Sequence, residues 1–115
     1  MNYFKELKVW QKSVELVSRI YLNTKSFPKD EIYGLTSQIR RSAVSVPSNI
    51  AEGCGRKTSK DFRNFLSIAL GSAFELETQL LIAKNLNYLK EENYSEFESE
   101  LQHIQNMIIK LQSTL

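Results

Sequence analysis

The sequence contains very little cysteine and histidine, and both shortages exclude kinds of site. One cysteine among 115 residues cannot form an internal disulfide, so nothing indicates an oxidising compartment. No apolar run approaches the roughly 20 residues that span a bilayer. The first ten residues, MNYFKELKVW, lack the apolar core of a secretory signal. We therefore expect a cytoplasmic protein with no membrane-spanning segment.

Residue sets that carry out catalysis are also missing. Cys54 lies between two glycines with no histidine near it in sequence, which argues against an activated thiol. The glycines there do not lead into the GKS or GKT ending of a phosphate loop. Glu100 and His103 match the Glu-x-x-His spacing of di-iron bundles, but such a site needs two of these pairs and the chain has one histidine. We expect no enzyme, cofactor, metal or small-molecule substrate.

Charge is present in moderate amount but unevenly placed. Residues 1–63 contain twelve Lys/Arg and six Asp/Glu, a balance of +6, whereas residues 64–115 contain three and seven, a balance of −4. Such polarity can simply reflect solvated faces that help neighbouring helices pair, or it can mark a binding surface. With 42% hydrophobic residues, we expect residues 1–115 to form a single folded domain.

Four segments have the four-three apolar spacing of amphipathic helices. In the first, the predicted core positions are Tyr3, Leu7, Trp10, Val14, Val17, Tyr21 and Thr24, widened by Phe4, Leu16 and Ile20. In the third they are Phe62, Leu66, Ala69, Ala73, Leu76, Leu80 and Ala83. In the fourth they are Phe97, Leu101, Ile104, Ile108, Leu111 and Leu115. Gly71 and Ser72 interrupt the third segment, which indicates a close helix crossing there.

The second segment, residues 27–56, reads as one long helix that starts near Pro28 and ends at Gly53-Cys54-Gly55. Pro47 predicts a kink, because it removes one backbone hydrogen bond. The alternative is a helix that ends before Pro47 and a short one after it. The predicted core positions are Ile32, Leu35, Ile39, Ala43, Val46 and Ile50. We predict an all-α, up-down-up-down antiparallel four-helix bundle with a kinked second helix.

A second stripe lies about 120° around this helix and cannot share the contacts of the first. It is apolar and small in character, which favours a second packing partner. We interpret it as a candidate subunit interface, formed by Tyr33, Ser37, Arg40, Val44, Pro47 and Ala51.

Several ordered motifs resemble one bacterial family. They are LKVW at 7–10, FPKDEIYGLTSQIRRSAVSVPSNIAEG at 27–53, GR at 55–56, FRNFLSIALGS at 62–72, ELETQL at 75–80 and NLNYL at 85–89. The family is that of the four helix bundle proteins, first described as encoded by intervening sequences in large-subunit ribosomal RNA genes and also labelled ribosomal-protein-like. The match covers roughly residues 4–90.

The resemblance implies an up-down bundle that assembles as a ring-like homopentamer, with no known catalytic residues. The chain is also similar to the accessory variability protein of diversity-generating retroelements, a basic pentamer that associates with a reverse transcriptase and nucleic acid. Two departures stand out: Lys90 occupies a place where the family often has a serine cap, and the net charge of +2 is far lower than that of the retroelement protein.

Three functions from different classes follow as hypotheses. The first is a purely structural or protein-binding oligomer. The second is binding of RNA or a nucleoprotein, because cations near a helix N-terminus can meet phosphate; the candidates are Arg40, Arg41, Arg56, Lys57, Lys60 and Arg63. Arg40 and Arg41 can instead form intersubunit salt bridges. The third, a metal-binding bundle around His103, has the least support.

Overall fold

The computed structural model describes residues 3–115 and contains four α-helices joined by short links. The helices are α1 (Lys8–Thr24), α2 (Leu35–Cys54), α3 (Ser59–Asn85) and α4 (Glu91–Ser113). Each helix packs against its neighbours in sequence and α4 packs back on α1, whereas in the described residues no Cα atoms of the diagonal pairs α1–α3 and α2–α4 lie within 8 Å of each other. This arrangement confirms the predicted antiparallel four-helix bundle.

The predicted core positions of α3 and α4 are confirmed. All seven predicted residues of α3 are buried. In α4, Phe97, Leu101, Ile104 and Ile108 are buried, while Leu111 and Leu115 are half-buried at the end of the bundle. Full burial of one such aliphatic side chain contributes about 1.5–3 kcal/mol to stability. The apolar periodicity of these two helices therefore predicts their buried faces well.

The predicted core face of α1 is only partly right. Leu16, Ile20 and Thr24 are buried as predicted, but Val9 and Ser13, which were not predicted, are buried as well. Residues from the predicted stripe lie at the edge or outside: Tyr3, Val14 and Tyr21 are exposed, and Leu7, Trp10 and Val17 are half-buried. Two of the five buried residues, Ser13 and Thr24, have hydroxyl side chains. Both hydroxyls bond to backbone carbonyls of the preceding turn, which satisfies them inside the bundle.

The start of α2 also differs from the prediction. A single turn of 3₁₀ helix, Lys29–Glu31, is followed by a turn, and α2 begins only at Leu35. The carboxylate of Glu31 accepts a hydrogen bond from the Leu35 backbone N–H at 3.1 Å, satisfying an amide that has no partner within the helix. Ile32 falls in the turn and is exposed, so it is not a core residue.

At its other end α2 runs unbroken through Pro47 to Cys54, so the alternative of two separate helices is wrong. The helix ends without a left-handed glycine, because neither glycine there has a positive φ. Gly53 is instead a packing residue. A Cβ atom at Gly53 would lie 2.8 Å from Phe62 Cδ1 and 2.9 Å from Phe65 Cβ. The absence of a side chain lets α2 and α3 approach closely where they meet.

The α2–α3 contact is polar in its middle. The hydroxyls of Ser45 and Ser72 lie 2.8 Å apart, and Asn49 donates to both the backbone oxygen and the hydroxyl of Ser45. The small side chain of Ser72 thus lies at the predicted close helix crossing. Gly71 does not lie at the crossing, because a Cβ atom added to it would meet nothing within 4 Å. Gly71 faces outward, which corrects the expectation of a crossing at that residue within the chain.

The ends of α3 are well capped, whereas the start of α4 is not. Thr58 Oγ1 accepts from the backbone N–H of Asp61 at 3.1 Å, as its sequence position indicates. After α3, Asn87 has φ 64°, and the N–H groups of Asn87 and Tyr88 bond to the carbonyls of Lys84 and Ala83. This is the Schellman pattern of helix ends. Lys90, which precedes α4, gives no side-chain cap.

Candidate interaction surfaces

The six cations predicted to bind nucleic acid do not form one cluster. Arg40 and Arg41 lie in the first half of α2, whereas Arg56, Lys57 and Lys60 lie at the turn into α3. With a rise of about 1.5 Å per residue, Arg41 is roughly 20 Å along the axis from the end of α2 at Cys54. Only an extended ligand could contact both groups at once.

Three of the six arginine and lysine side chains are already bound within the chain. Arg40 donates from Nε to Thr24 Oγ1 at 2.9 Å, and its guanidinium lies 4.7 Å from the centre of the Tyr21 ring. Arg56 pairs with Glu52 at 3.1 Å and stacks on Phe65. Each arginine therefore stabilises a contact within the chain.

Arg63 is the third bound cation, and it ties α3 to the end of α4. Its Nη1 donates to the backbone oxygen of Leu115 at 2.6 Å, while Gln112 donates to the Arg63 backbone oxygen and to Ser67. Arg41, Lys57 and Lys60, by contrast, are exposed and make no ion pair within the described residues. These three cations remain available to an external anion.

The predicted subunit face of α2 is partly exposed and partly inside the bundle. Tyr33, in the turn before α2, is 95% exposed and Val44 is 41% exposed. Ser37 and Ala51 are half-buried. Pro47 is buried within the single chain, so it faces the bundle and not the outside. Of the predicted face, Tyr33 and Val44 therefore remain as exposed large apolar residues.

A larger apolar surface lies on the outer side of α3 and was not predicted. We call it the α3 outer face; its large apolar residues are Ile68, Phe74, Leu81, Ile82 and Leu86, all at least 39% exposed. The exposed Gly71 lies on the same side, and Phe74 forms one wall of a shallow groove with Tyr94 of α4. The signal was available in the sequence, because α3 is apolar on nearly all sides.

Membrane insertion by length and composition alone is possible for one helix of the described chain, and that helix is α3. Its most apolar 18-residue window has a mean hydropathy of 1.3, and 33% of the window is buried. The sequence-based expectation had found no segment of this kind. Length and hydropathy alone are weak evidence of a membrane span, because core helices of soluble bundles can have the same values. The low buried fraction shows that α3 leaves much apolar surface uncovered within the described chain.

The sequence profile of one family matches residues 5–110, nearly the whole chain. The profile is that of the 23S rRNA-intervening sequence proteins. This chain belongs to that family. The assignment confirms the resemblance seen in the motifs and extends it across α4, where only the apolar pattern had matched.

A solved structure of a similar protein shows the same fold. It is the crystal structure, at 1.70 Å, of a protein of unknown function from the S23 ribosomal protein family of Bacteroides thetaiotaomicron. The two chains are 30% identical, the match covers 90% of this chain and 97% of the other, and the TM-score is 0.83. No protein with a curated description matches.

Glu100 and His103, the pair with metal-ligand spacing, lie in the groove between α1 and α4. The groove has a volume of about 270 Å³ and includes Glu15, Glu100 and His103. Glu100 forms an ion pair with Arg19, which also bonds Glu96 at 3.2 Å. The hydrogen bond to Glu100 raises the pKa of Arg19 above its ordinary value. Among residues 3–115, no three His, Cys, Asp or Glu side chains are placed to hold one metal ion.

Proposed function

We propose that the protein is a non-enzymatic helical scaffold that assembles with further copies of itself, in the ring-like homopentameric form that the family resemblance implies. The observation that carries the proposal is the α3 outer face. Large exposed apolar side chains gathered on one helix face mark interaction sites on soluble proteins, and Glu75 and Thr78 are exposed polar residues beside them. Phe74 is 50% exposed and Ile68 is 51% exposed, and burying either against another chain would remove that apolar area from water.

A second apolar strip makes a head-to-tail contact more suitable than a symmetric dimer. This strip lies on α1 and α2, where Val14, Tyr21 and Val44 are exposed. Its α1 part lies across the bundle from α3, because α1 and α3 are diagonal helices with no Cα atoms within 8 Å of each other. A chain with two different apolar faces can bind one face to the other face of the next copy. Such head-to-tail contacts form a closed ring when the rotation between successive copies adds up to a full turn.

Gly71 supports a helix as the partner of the α3 outer face. Glycine inside a helix costs about 1 kcal/mol relative to alanine, and nothing within the chain requires it at this position. The absence of a side chain lets another backbone approach closely. A helix of a neighbouring copy is the partner that the two apolar faces supply.

The test is the absolute mass in solution, measured by light scattering over a range of concentrations. We expect a mass of about five times the 13.3 kDa of one chain and a shift to smaller species for a Phe74→Glu, Ile82→Glu variant whose helical circular dichroism is unchanged. Ser99→Glu, Asn106→Glu is the matched control, because both residues are exposed on α4, which carries neither of the two apolar faces. A mass of 13.3 kDa at every concentration would contradict self-assembly, and a stable dimer would contradict the ring.

RNA binding is a second candidate function, favoured by one specific observation: Arg41, Lys57 and Lys60 are exposed and unpaired in the described structure. The family is named after intervening sequences of 23S rRNA, which makes RNA the natural polyanion to test. Lys57 and Lys60 flank the first turn of α3, where backbone N–H groups also attract anions. Copies arranged in a ring would multiply such weak contacts.

A gel-shift titration at several salt concentrations tests this candidate. Replacing all three cations with glutamine should weaken binding and reduce the slope of log affinity against log salt by about 2. The control is the same number of changes at Lys5, Lys8 and Lys12, which are exposed on another part of the surface. An RNA affinity that does not change with salt concentration, or no binding at low salt, would contradict this candidate function.

A further inference from the structure

The charge on the α3 outer face is negative. Residues 64–83 of α3 include two charged side chains, Glu75 and Glu77, and no cation. Glu75 is exposed and follows Gly71 by one helical turn, and the two residues line the same shallow depression on this face. Within the described residues Glu75 makes no ion pair. The apolar surface of α3 therefore carries a carboxylate whose charge nothing in the chain neutralises.

The groove between α3 and α4, beside this face, has the same sign. It has a volume of about 390 Å³, and its charged residues are Glu77 and Glu98. Gln105 donates a hydrogen bond to Glu77 at 2.7 Å. Tyr94 donates one to Glu98 at 2.9 Å. Both donors are neutral, and neither carboxylate has a cation as a partner in the described structure. The groove thus extends the negative surface of α3 towards α4.

The apolar strip on α1 and α2 has the opposite sign. We call it the α1–α2 strip; its exposed apolar residues are Val14, Tyr21 and Val44. Residues 35–51 of α2 include Arg40 and Arg41 and no acidic residue. Arg41 is exposed, and it precedes Val44 by three residues, a spacing that makes the two side chains neighbours on a helix surface. The acidic residue of α1, Glu15, lines the groove towards α4 instead. The strip therefore combines apolar side chains with positive charge.

We propose that the α3 outer face binds the α1–α2 strip of a second copy, and that opposite charges select this pairing, with Glu75 of one copy facing Arg41 of the next. The inference rests on the proposed self-assembly and adds which surfaces meet and what orients them. Two α3 outer faces in contact would bring carboxylates together, and two α1–α2 strips would bring arginines together. Like charges that meet across an interface are strongly unfavourable. The head-to-tail contact instead brings opposite charges together, while the apolar side chains supply the affinity.

Charge reversal tests the pairing, with the dissociation constant of the oligomer measured by analytical ultracentrifugation on nuclease-treated protein. We expect Glu75→Arg and Arg41→Glu each to raise this constant at least about tenfold, because each change sets like charges against each other. The double variant Glu75→Arg, Arg41→Glu should recover most of the loss. Glu92→Arg and Lys57→Glu are the matched controls, because they reverse exposed charges on α4 and at the α2–α3 turn, outside both surfaces. Helical circular dichroism confirms that every variant is folded.

The response to salt is a second readout, which a loss of folding would not reproduce. Raising the salt concentration from about 0.1 to 1 M shortens the Debye length from about 10 to 3 Å. The native oligomer should weaken over this range, whereas Glu75→Arg should assemble better, because screening reduces the repulsion. Single reversals that leave assembly unchanged, or a double variant no stronger than the single ones, overturn this inference while self-assembly stands. A native chain that is monomeric at every concentration overturns both.

Discussion

Tyr88 donates a hydrogen bond from its hydroxyl to Glu31 Oε2 at 3.0 Å. The bond joins the link between α1 and α2 to the link between α3 and α4, at one end of the bundle. It also raises the pKa of Tyr88 above its ordinary value of 10, since a neighbouring carboxylate disfavours the tyrosinate. The other oxygen of Glu31 caps Leu35. One carboxylate therefore fixes both the start of α2 and the position of the opposite link.

Glu31→Ala should lower the free energy of unfolding by about 1–2 kcal/mol, because it removes the cap on Leu35 and the partner of Tyr88. Asp30→Ala is the matched control, since Asp30 is exposed and makes no side-chain bond in the described structure. Urea unfolding of the two variants measures the difference. Equal effects of the two changes would show that the cap is not important for stability.

Gly53→Ala should destabilise the chain by about 1–3 kcal/mol, because the new methyl group would overlap Phe62 and Phe65 of α3. Gly55→Ala tests the same change two residues later. There the nearest atom is Glu52 O at 3.5 Å and φ is −82°, so we expect little effect. Thermal unfolding of both variants makes the comparison, and similar melting temperatures would contradict the close packing at Gly53.

Gly71→Ala should have opposite effects on folding and on assembly. Within one chain it should stabilise α3 by about 0.5–1 kcal/mol, because alanine is the better helix former and no atom is in the way. If a helix of another copy crosses at Gly71, the methyl group should weaken the oligomer. Dilution series by light scattering, paired with unfolding of the dissociated chain, separate the two effects. An oligomer unaffected by the change would place the contact elsewhere.

Tyr94 should make the protein less stable at alkaline pH. Burial, together with its hydrogen bond to Glu98 at 2.9 Å, raises the pKa of Tyr94 from 10 to about 12. Because the folded pKa is the higher one, the stabilisation is fully present below pH 10 and is lost as the pH rises towards 12. Urea unfolding between pH 9 and 12 should therefore show a shallower decline for Tyr94→Phe than for the native chain.

The control for that titration is Tyr33→Phe, since Tyr33 is 95% exposed. It should decline with pH as the native chain does. A Tyr94→Phe variant that declines as steeply as Tyr33→Phe would mean that other groups cause the alkaline loss.

Asn87 should tolerate glycine but not a β-branched residue. Its φ of 64° lies in the left-handed region, which glycine adopts freely and valine avoids. We expect Asn87→Gly to be neutral or slightly stabilising and Asn87→Val to cost about 1–2 kcal/mol. Leu86→Val is a control for β-branching itself, because the neighbouring Leu86 has φ −85°. Comparable losses for the two valine variants would contradict a role of the left-handed turn.

Periodicity predicted the buried faces of α3 and α4 because the regular four-three stripe of each helix is the one that faces the core. It was only partly right in α1, where Leu16, Ile20 and Thr24 are buried as predicted but Tyr3 and Tyr21 are exposed. Nothing local distinguishes the apolar residues of α1 that face the core from those that do not. The choice depends on which face meets α2 and α4, and Ser13 and Thr24 become acceptable core residues only because the backbone satisfies their hydroxyls.

The candidate surfaces were harder to predict, because partners of charged side chains come from other helices. The sequence shows Arg40, Arg56 and Arg63 as a basic series, whereas the fold gives each one a contact within the chain. The α3 outer face was missed for a different reason. The four-three stripe accounts only for the core side of α3, whereas Ile68 and Phe74 are apolar residues that lie outside this stripe and are exposed.

Trp10, the single tryptophan of the chain, gives the N-terminal turn an optical signal of its own. Its ring packs edge-on against Phe4, with centres 5.2 Å apart, at the point where the first 3₁₀ turn meets α1. Intrinsic fluorescence therefore reports the docking of residues 4–6, while the far-ultraviolet signal reports all four helices. A shift in emission that precedes the loss of ellipticity on heating would identify this turn as the first part of the bundle to come loose.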